Sequence, residues 1–246
     1  MEQKSVNKTN SNAYTFIFSI VMVVVVGSIL AFAATSLQPT QYENMRQEKM
    51  QNILATVGVE TERSEAEGLY RQYITEEIVL DSNGEVKDGV KAFDVDLAKE
   101  LKVNEDEQNF PLYIANVDGE KFYIIPLRGA GLWNAIFGYI ALKDDVNTVK
   151  GVVFDHLGET PGLGAEITQV WFQERYADEK IFDGSGNLVG ISAPKGAPST
   201  SKDDNRVDAI SGATITVDGV SNMISERLGH YLAYFKNQSD ITVPNN

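Results

Sequence analysis

Residues 111–127 read PLYIANVDGEKFYIIPL: two runs of branched and aromatic side chains, Leu112–Val117 and Phe122–Leu127, joined across Asp118-Gly119. A two-residue Asp-Gly connection between such runs is a strong short-range signal for a β-hairpin, because both central residues must adopt positive φ. Working toward the C-terminus, Gly138–Leu142 and Val149–Phe154 have the same texture and predict two further strands. A helix is expected over Ala165–Tyr176, then strands near Lys180–Phe182 and Leu188–Ile191 around a turn at Asp183–Asn187. The last element is clearest: Val217, Val220, Ile224, Leu228, Tyr231 and Phe235 recur three or four residues apart, one apolar stripe for docking a helix on the sheet.

Working toward the N-terminus, Asp81–Glu85 is a turn and Thr61–Glu77 a predicted helix, with Thr61 and Ser64 as candidate caps. Tyr42–Val57 has good helix formers and reads as a helical neck. Strands mixed with helices, without regular alternation, imply an α+β fold whose mixed sheet is largely antiparallel.

Tyr14–Ala34, YTFIFSIVMVVVVGSILAFAA, carries no charge. At about 1.5 Å per residue it is about 30 Å long, the thickness of a bilayer's hydrocarbon layer. Ala31-Phe32-Ala33 has the small-x-small form of a signal-peptidase site, but the apolar run is longer than a cleaved leader needs, so it reads as a membrane-spanning helix. Lys4 and Lys8 precede the span, whereas Glu43, Arg46, Glu48 and Lys49 beyond it cancel. The positive-inside rule then keeps the N-terminus cytoplasmic and exports the remainder.

The 246 residues include 21 Lys+Arg and 35 Asp+Glu, a net charge of −14. Residues 1–35 carry only Glu2, Lys4 and Lys8, a net +1, so the exported part carries −15. Such a surface repels phosphate backbones, and nucleic acid is not an expected partner. Cysteine is absent, which excludes thiolate nucleophiles, thiolate zinc sites and all-cysteine iron–sulfur clusters; redox chemistry would need a borrowed cofactor.

One loop stands out. Asp208-Ala-Ile-Ser211-Gly212-Ala213-Thr214 feeds the C-terminal helix, and its small residues allow close approach of a ligand while the amides at the helix start favour negative charge, a phosphate above all. The threonine hydroxyl could hydrogen-bond a phosphate or be esterified by it, and an ordinary capped helix start uses the same residue types. Residue chemistry alone leaves these readings open. Other motifs are missing. Gly129–Asn134 fails the GxGxxG pattern at its last position, there is no GxxxxGK[ST] or GxSxG, and the two histidines, His156 and His230, form no HExxH. No metal site is expected.

The Asp208-x-x-Ser211-Gly212-Ala213-Thr214 pattern resembles the flavinylation motif of the FMN-binding domain family. Gly158-Glu159-Thr160-Pro161-Gly162-Leu163-Gly164 is similar to that family's ETPGLG segment, and Pro126–Trp133, PLRGAGLW, to its PLRGxGLW segment. The resemblance implies FMN bound covalently through a phosphoester to Thr214, attached by a separate flavin transferase that uses FAD as donor outside the cytoplasm. It implies that Asp208, Ser211, Gly212 and Ala213 in the loop and Glu159, Thr160, Gly162 and Leu163 in the glycine turn bind the cofactor, Asp208 orienting the loop or serving the transferase and Ser211 bonding the phosphate or capping the helix. Trp133 would pack against the isoalloxazine or fill the core.

The domain layout that follows is a tail over 1–13, the span over 14–34, a neck and first part of the exported domain over 35–110, the FMN-binding domain over 111–236 and a tail over 237–246. Within the family, the single span, the region Gln41–Asn109 and the HxxETPGLG form from His156 most resemble the C subunits of Na⁺-translocating NADH:quinone oxidoreductases. The G subunits of Rnf complexes are the nearest alternative. The resemblance implies an inner-membrane electron carrier whose flavin receives electrons from NADH through other subunits of the complex and passes them toward quinone, coupled to sodium export. The carrier itself would bind neither NADH nor sodium. A rival without flavin is a membrane-anchored extracytoplasmic module gripping a free phosphorylated ligand.

Overall fold

The computed structural model describes residues 12–196 and 199–237; Lys4, Lys8 and the tail beyond Asn237 lie outside them. Asn12–Ala55 is one helix of 44 residues, α1, so the span and the neck expected separately are continuous, with Pro39 inside the helix. Residues 12–46 belong to a unit of their own. Its large apolar side chains from Tyr14 to Leu37 are exposed, and the helix is long and apolar enough to cross a membrane.

The second unit, from Gln47 onward, begins with the last turns of α1, where Met50, Ile53 and Leu54 are buried. Next comes α2 (Arg63–Tyr73), which Glu62 precedes without a side-chain cap, so neither Thr61 nor Ser64 acts as one. The helix expected to reach Glu77 stops early, because Ile74–Leu80 is a strand, β1. Its burial reads apolar at Ile74, Val79 and Leu80, and pairing with a neighbouring strand overrides the helical propensity of Glu76 and Glu77. After the Asp81 turn and a short helix α3 (Leu97–Glu100) come β2 (Phe110–Val117), β3 (Glu120–Ala130), β4 (Ala135–Lys143) and β5 (Val149–His156).

The five strands lie in chain order, each antiparallel to the next. Asp118 at φ 54° and Gly119 at φ 88° make the two-residue β2–β3 turn that the sequence demands. Because side chains alternate along a strand, Leu112, Ile114, Tyr123, Ile125 and Leu127 enter one core, while Tyr113, Ala115, Phe122 and Ile124 enter a second on the opposite face. Covering both faces explains why these strands read as near-continuous apolar runs. The end of α1 and α2 cover one face. The C-terminal stripe covers the other, as α5 (Thr214–Gly229) and α6 (Leu232–Asn237), and all six stripe residues are buried. Tyr231, between these helices, donates its hydroxyl to Pro111 O at 2.8 Å, and the Phe235 ring meets Tyr123 edge-on at 5.1 Å.

Between β5 and α5 the expected regular elements give way. Ala165–Tyr176 is a 3₁₀ turn at Gly164–Thr168, a single α-turn α4 (Val170–Gln173) and a second 3₁₀ turn at Glu174–Tyr176. Phe172 and Tyr176 reach the core although no continuous helix forms. Lys180–Phe182 and Leu188–Ile191 form only isolated bridges, Thr148 to Lys180 and Phe182 to Leu188, around the Asp183 turn. Fully buried Ile224 on α5 gives a measure of packing on this face: Ile224→Val should cost about 1 kcal/mol of unfolding free energy in a urea titration.

Candidate functional site

Three chain segments far apart in sequence end at one corner of the sheet. Gly131–Asn134 closes the β3–β4 connection, with the Gly131 amide donating to Asn134 O at 2.8 Å. Leu157–Gly164 leaves the end of β5, and Asp208–Thr214 leads into α5.

Glu159 ties them together. Its side chain is 5% exposed. Oε1 accepts from the amides of Trp133 at 2.9 Å and Asn134 at 3.4 Å, and Oε2 accepts from the Thr216 hydroxyl at 2.7 Å in the first turn of α5. Its own amide donates to His156 Nδ1 at 3.1 Å. Two glycines make room: a Cβ on Gly131 would lie 2.5 Å from Glu159 Oε1, and one on Gly164 2.5 Å from both Oε2 and Thr216 Oγ1. The glycines that look like flexible turn residues in the sequence are thus clearance for a buried carboxylate.

Burial alone would raise the Glu159 pKa. Hydrogen bonds from Thr216, Trp133 and Asn134, together with His156, outweigh it and hold the carboxyl below its ordinary value of 4.5. A carboxyl with a depressed folded-state pKa contributes stability that is present above the ordinary value and lost as pH falls through the depressed one. The melting temperature of the wild type should therefore fall more steeply below about pH 4.5 than that of Glu159→Gln, measured by circular dichroism across pH 2.5–6. Parallel curves would show that Glu159 has no such linkage.

Thr214 is the first residue of α5 and is exposed. The first-turn amides of a helix have no intrahelical acceptor, and no side chain caps α5, so neither Ser211 nor Thr214 serves as an ordinary cap. Among the described residues the Ser211 and Thr214 hydroxyls have no hydrogen-bond partner. Gly212, at φ +80°, turns the chain sharply before the helix, and a Cβ there would lie 2.7 Å from Leu163 Cδ2. Ala213 is buried. Clefts lie on both sides of this turn. One, of about 200 Å³, is lined by Leu132, Glu159, Thr160, Leu163, Thr214 and Ile215. The other, of about 400 Å³, is lined by Lys195, Asp208, Ser211, Gly212 and Thr214 among others.

Most of the expected site residues meet here. Gly162, at φ +76°, makes the glycine turn and donates its amide to Glu166 Oε1 at 3.0 Å. Thr160 accepts the Leu163 amide at its carbonyl and the Trp133 indole N–H at its hydroxyl, 3.1 Å each. Trp133 does not fill the core: its side chain is 70% exposed. With Leu132, Leu163 and Ile215, also exposed, it supplies apolar surface at this corner. Asp208 stands at the other end of the loop, where Oδ1 accepts the Ser199 amide at 3.1 Å and its carbonyl accepts from Arg175.

Sequence reasoning missed Thr216, Arg175 and Lys195. Thr216 lies two residues beyond the matched pattern, and the other two come from segments with no recognisable spacing to it. Chemically, the corner offers an accessible hydroxyl, unpaired helix-start amides suited to a phosphate, one lysine, and apolar and aromatic surface suited to a planar ring. Those features fit FMN: the glycine turn leaves room beside Thr214, and the donor set matches a phosphate monoester.

The chain is similar to known proteins over most of its length. The FMN-binding domain family model matches residues 131–229. The chain is 31% identical over 241 residues to the C subunit of the Na(+)-translocating NADH-quinone reductase of Pseudomonas aeruginosa, covering 89% of this chain and 92% of that protein. It is 32% identical over 229 residues to the C subunit of the Haemophilus ducreyi reductase, with 85% and 88% covered. Among solved structures, the C subunit of the Parabacteroides distasonis reductase matches with a TM-score of 0.75 and 39% identity, covering 82% of this chain and 98% of that one. Shewanella oneidensis NqrC matches with a TM-score of 0.68 and 25% identity, covering 78% and 96%.

Proposed function

Since the chain belongs to the family of C subunits of Na(+)-translocating NADH-quinone reductases and carries an FMN-binding domain, we propose that it is a membrane-anchored electron carrier whose FMN is esterified to Thr214. The observation that carries this reading is the exposed Thr214 hydroxyl, without a hydrogen-bond partner among the described residues, at an uncapped helix start flanked by two clefts.

Attachment by an external flavin transferase with FAD as donor balances simply. The Thr214 Oγ1–phosphorus bond would form as the pyrophosphate bond of FAD breaks, with AMP as the leaving group and the hydroxyl proton released. Once bound, FMN supplies the redox chemistry. The chain's own part is to hold and orient. The first-turn amides of α5, with the Ser211 hydroxyl and Lys195, would hold the phosphate. Gly212 lets the loop approach it closely. Leu132, Trp133, Leu163 and Ile215 would shield the ring from water.

The other subunits of an Nqr-type complex would deliver and remove the electrons. The N-terminal helix would tether the domain near them, with the N-terminus cytoplasmic and the flavin domain extracytoplasmic, which raises its effective concentration at its partners. Expression with and without a flavin transferase tests the reading: protein from the first host should remain yellow after denaturation and protein from the second should be colourless. Colourless protein from both hosts would refute it.

A further inference from the structure

The segment from Asp208 to Thr216 is held at its two ends by opposite charges. At its end, the Glu159 carboxylate takes the Thr216 hydroxyl with one oxygen and the Trp133 and Asn134 amides with the other. At its start, the Arg175 guanidinium donates to the carbonyls of Asp208 and Ala209. Arg175 is itself fixed, 4.7 Å from the Trp171 ring and 5.8 Å from the Phe172 ring, and Phe172 is buried. Between these two anchors stand the exposed Ser211, Gly212 and Thr214, and among the described residues the Ser211 and Thr214 hydroxyls have no hydrogen-bond partner.

The Glu159 carboxylate is not free to serve a ligand. Both Glu159 oxygens are occupied, and the carboxylate is walled in by Gly131 and Gly164, positions where a Cβ would touch it. A carboxylate beside a phosphate would also repel it if it faced the same cleft unpaired.

We propose that Glu159 and Arg175 are positioning residues that clamp the Asp208–Thr216 segment in its flavin-accepting form before any flavin is attached, with Glu159 making no bond to the cofactor. The inference rests on Thr214 being the attachment residue. It adds that the acceptor geometry is built into the flavin-free chain, so the transferase meets a rigid hydroxyl and not a flexible peptide.

Two measurements on the full chain test this. The first is the rate of flavin attachment by a purified transferase with FAD, against acceptor concentration. The second is hydrogen exchange of the flavin-free chain. Glu159→Ala should lower the maximal rate about tenfold or more with little change in the acceptor concentration giving half that rate, since misplacement affects the reacting complex more than its assembly. Exchange should quicken together at 131–134 and 211–217 and stay unchanged at 220–228.

Glu159→Gln should restore both, because its amide oxygen can accept from Trp133 and Asn134 while its NH₂ donates to the Thr216 hydroxyl. Arg175→Ala should quicken exchange at 208–212. Should Glu159→Ala prove unfolded, Glu159→Gln and Arg175→Ala still decide the matter. Wild-type rate and exchange in Glu159→Ala, or loss of both in Glu159→Gln, would overturn the clamp. Exchange in Arg175→Ala equal to wild type would overturn its half. A wild-type chain that accepts no flavin would refute Thr214 as the attachment residue, while the exchange comparison, needing no flavin, would still judge the clamp.

Discussion

Thr214→Ala should contain no covalently bound flavin while folding as the wild type does. The side chain is exposed and its hydroxyl has no hydrogen-bond partner among the described residues, so its removal breaks no hydrogen bond among them. Alanine is the stronger helix former by a few tenths of a kcal/mol, so unfolding free energy should stay within about 0.5 kcal/mol of wild type. Loss of flavin would then report loss of the ester oxygen and not loss of structure. Thr214→Ser, which keeps a hydroxyl at the same backbone position, should recover attachment. In-gel fluorescence after denaturation reads all three proteins at once, and flavin fluorescence persisting in Thr214→Ala would move the attachment elsewhere.

Gly164→Ala should be strongly destabilising. The added Cβ would lie 2.5 Å from Glu159 Oε2 and from Thr216 Oγ1, and 3.2 Å from Glu159 Cβ, in a buried position. The carboxylate would have to withdraw, leaving the amides of Trp133 and Asn134 and the Thr216 hydroxyl without their acceptor. Unmaking charged hydrogen bonds in a buried setting costs about 2–4 kcal/mol. Gly158→Ala is the control, since a Cβ there meets only Asn134 Cβ at 3.9 Å and its φ is not positive; its cost should be under about 0.5 kcal/mol. Equal urea midpoints for the two variants would show that the Glu159 junction bears no load.

What the sequence disclosed and what it hid divide along physical lines. The Asp118-Gly119 hairpin and the α5 stripe were legible because each is a local pattern, a turn requiring positive φ and an apolar period near 3.6. β1 was hidden because Ile74–Leu80 contains Glu76 and Glu77 and becomes a strand only by pairing with β2. The irregular stretch from Gly164 to Tyr176 was hidden for the converse reason: its side chains reach the core, while its backbone breaks into three short turns. At the site, the Thr214 loop was recognisable as a contiguous string. The Glu159–Thr216 bond spans 57 residues and Arg175 to Asp208 spans 33, and no single-chain pattern signals such pairs. Trp133 shows the limit most plainly, since aromatic character suits a core or a ligand surface equally and only its 70% exposure separates them.

The most direct test of covalent FMN at Thr214 is the mass of the proteolytic fragment spanning Asp208–Arg227, taken from protein matured in its native membrane. The account predicts that fragment to carry the added mass of an esterified FMN, with fragmentation placing the adduct on Thr214. A fragment whose mass is that of its unmodified amino acids in every copy would contradict it.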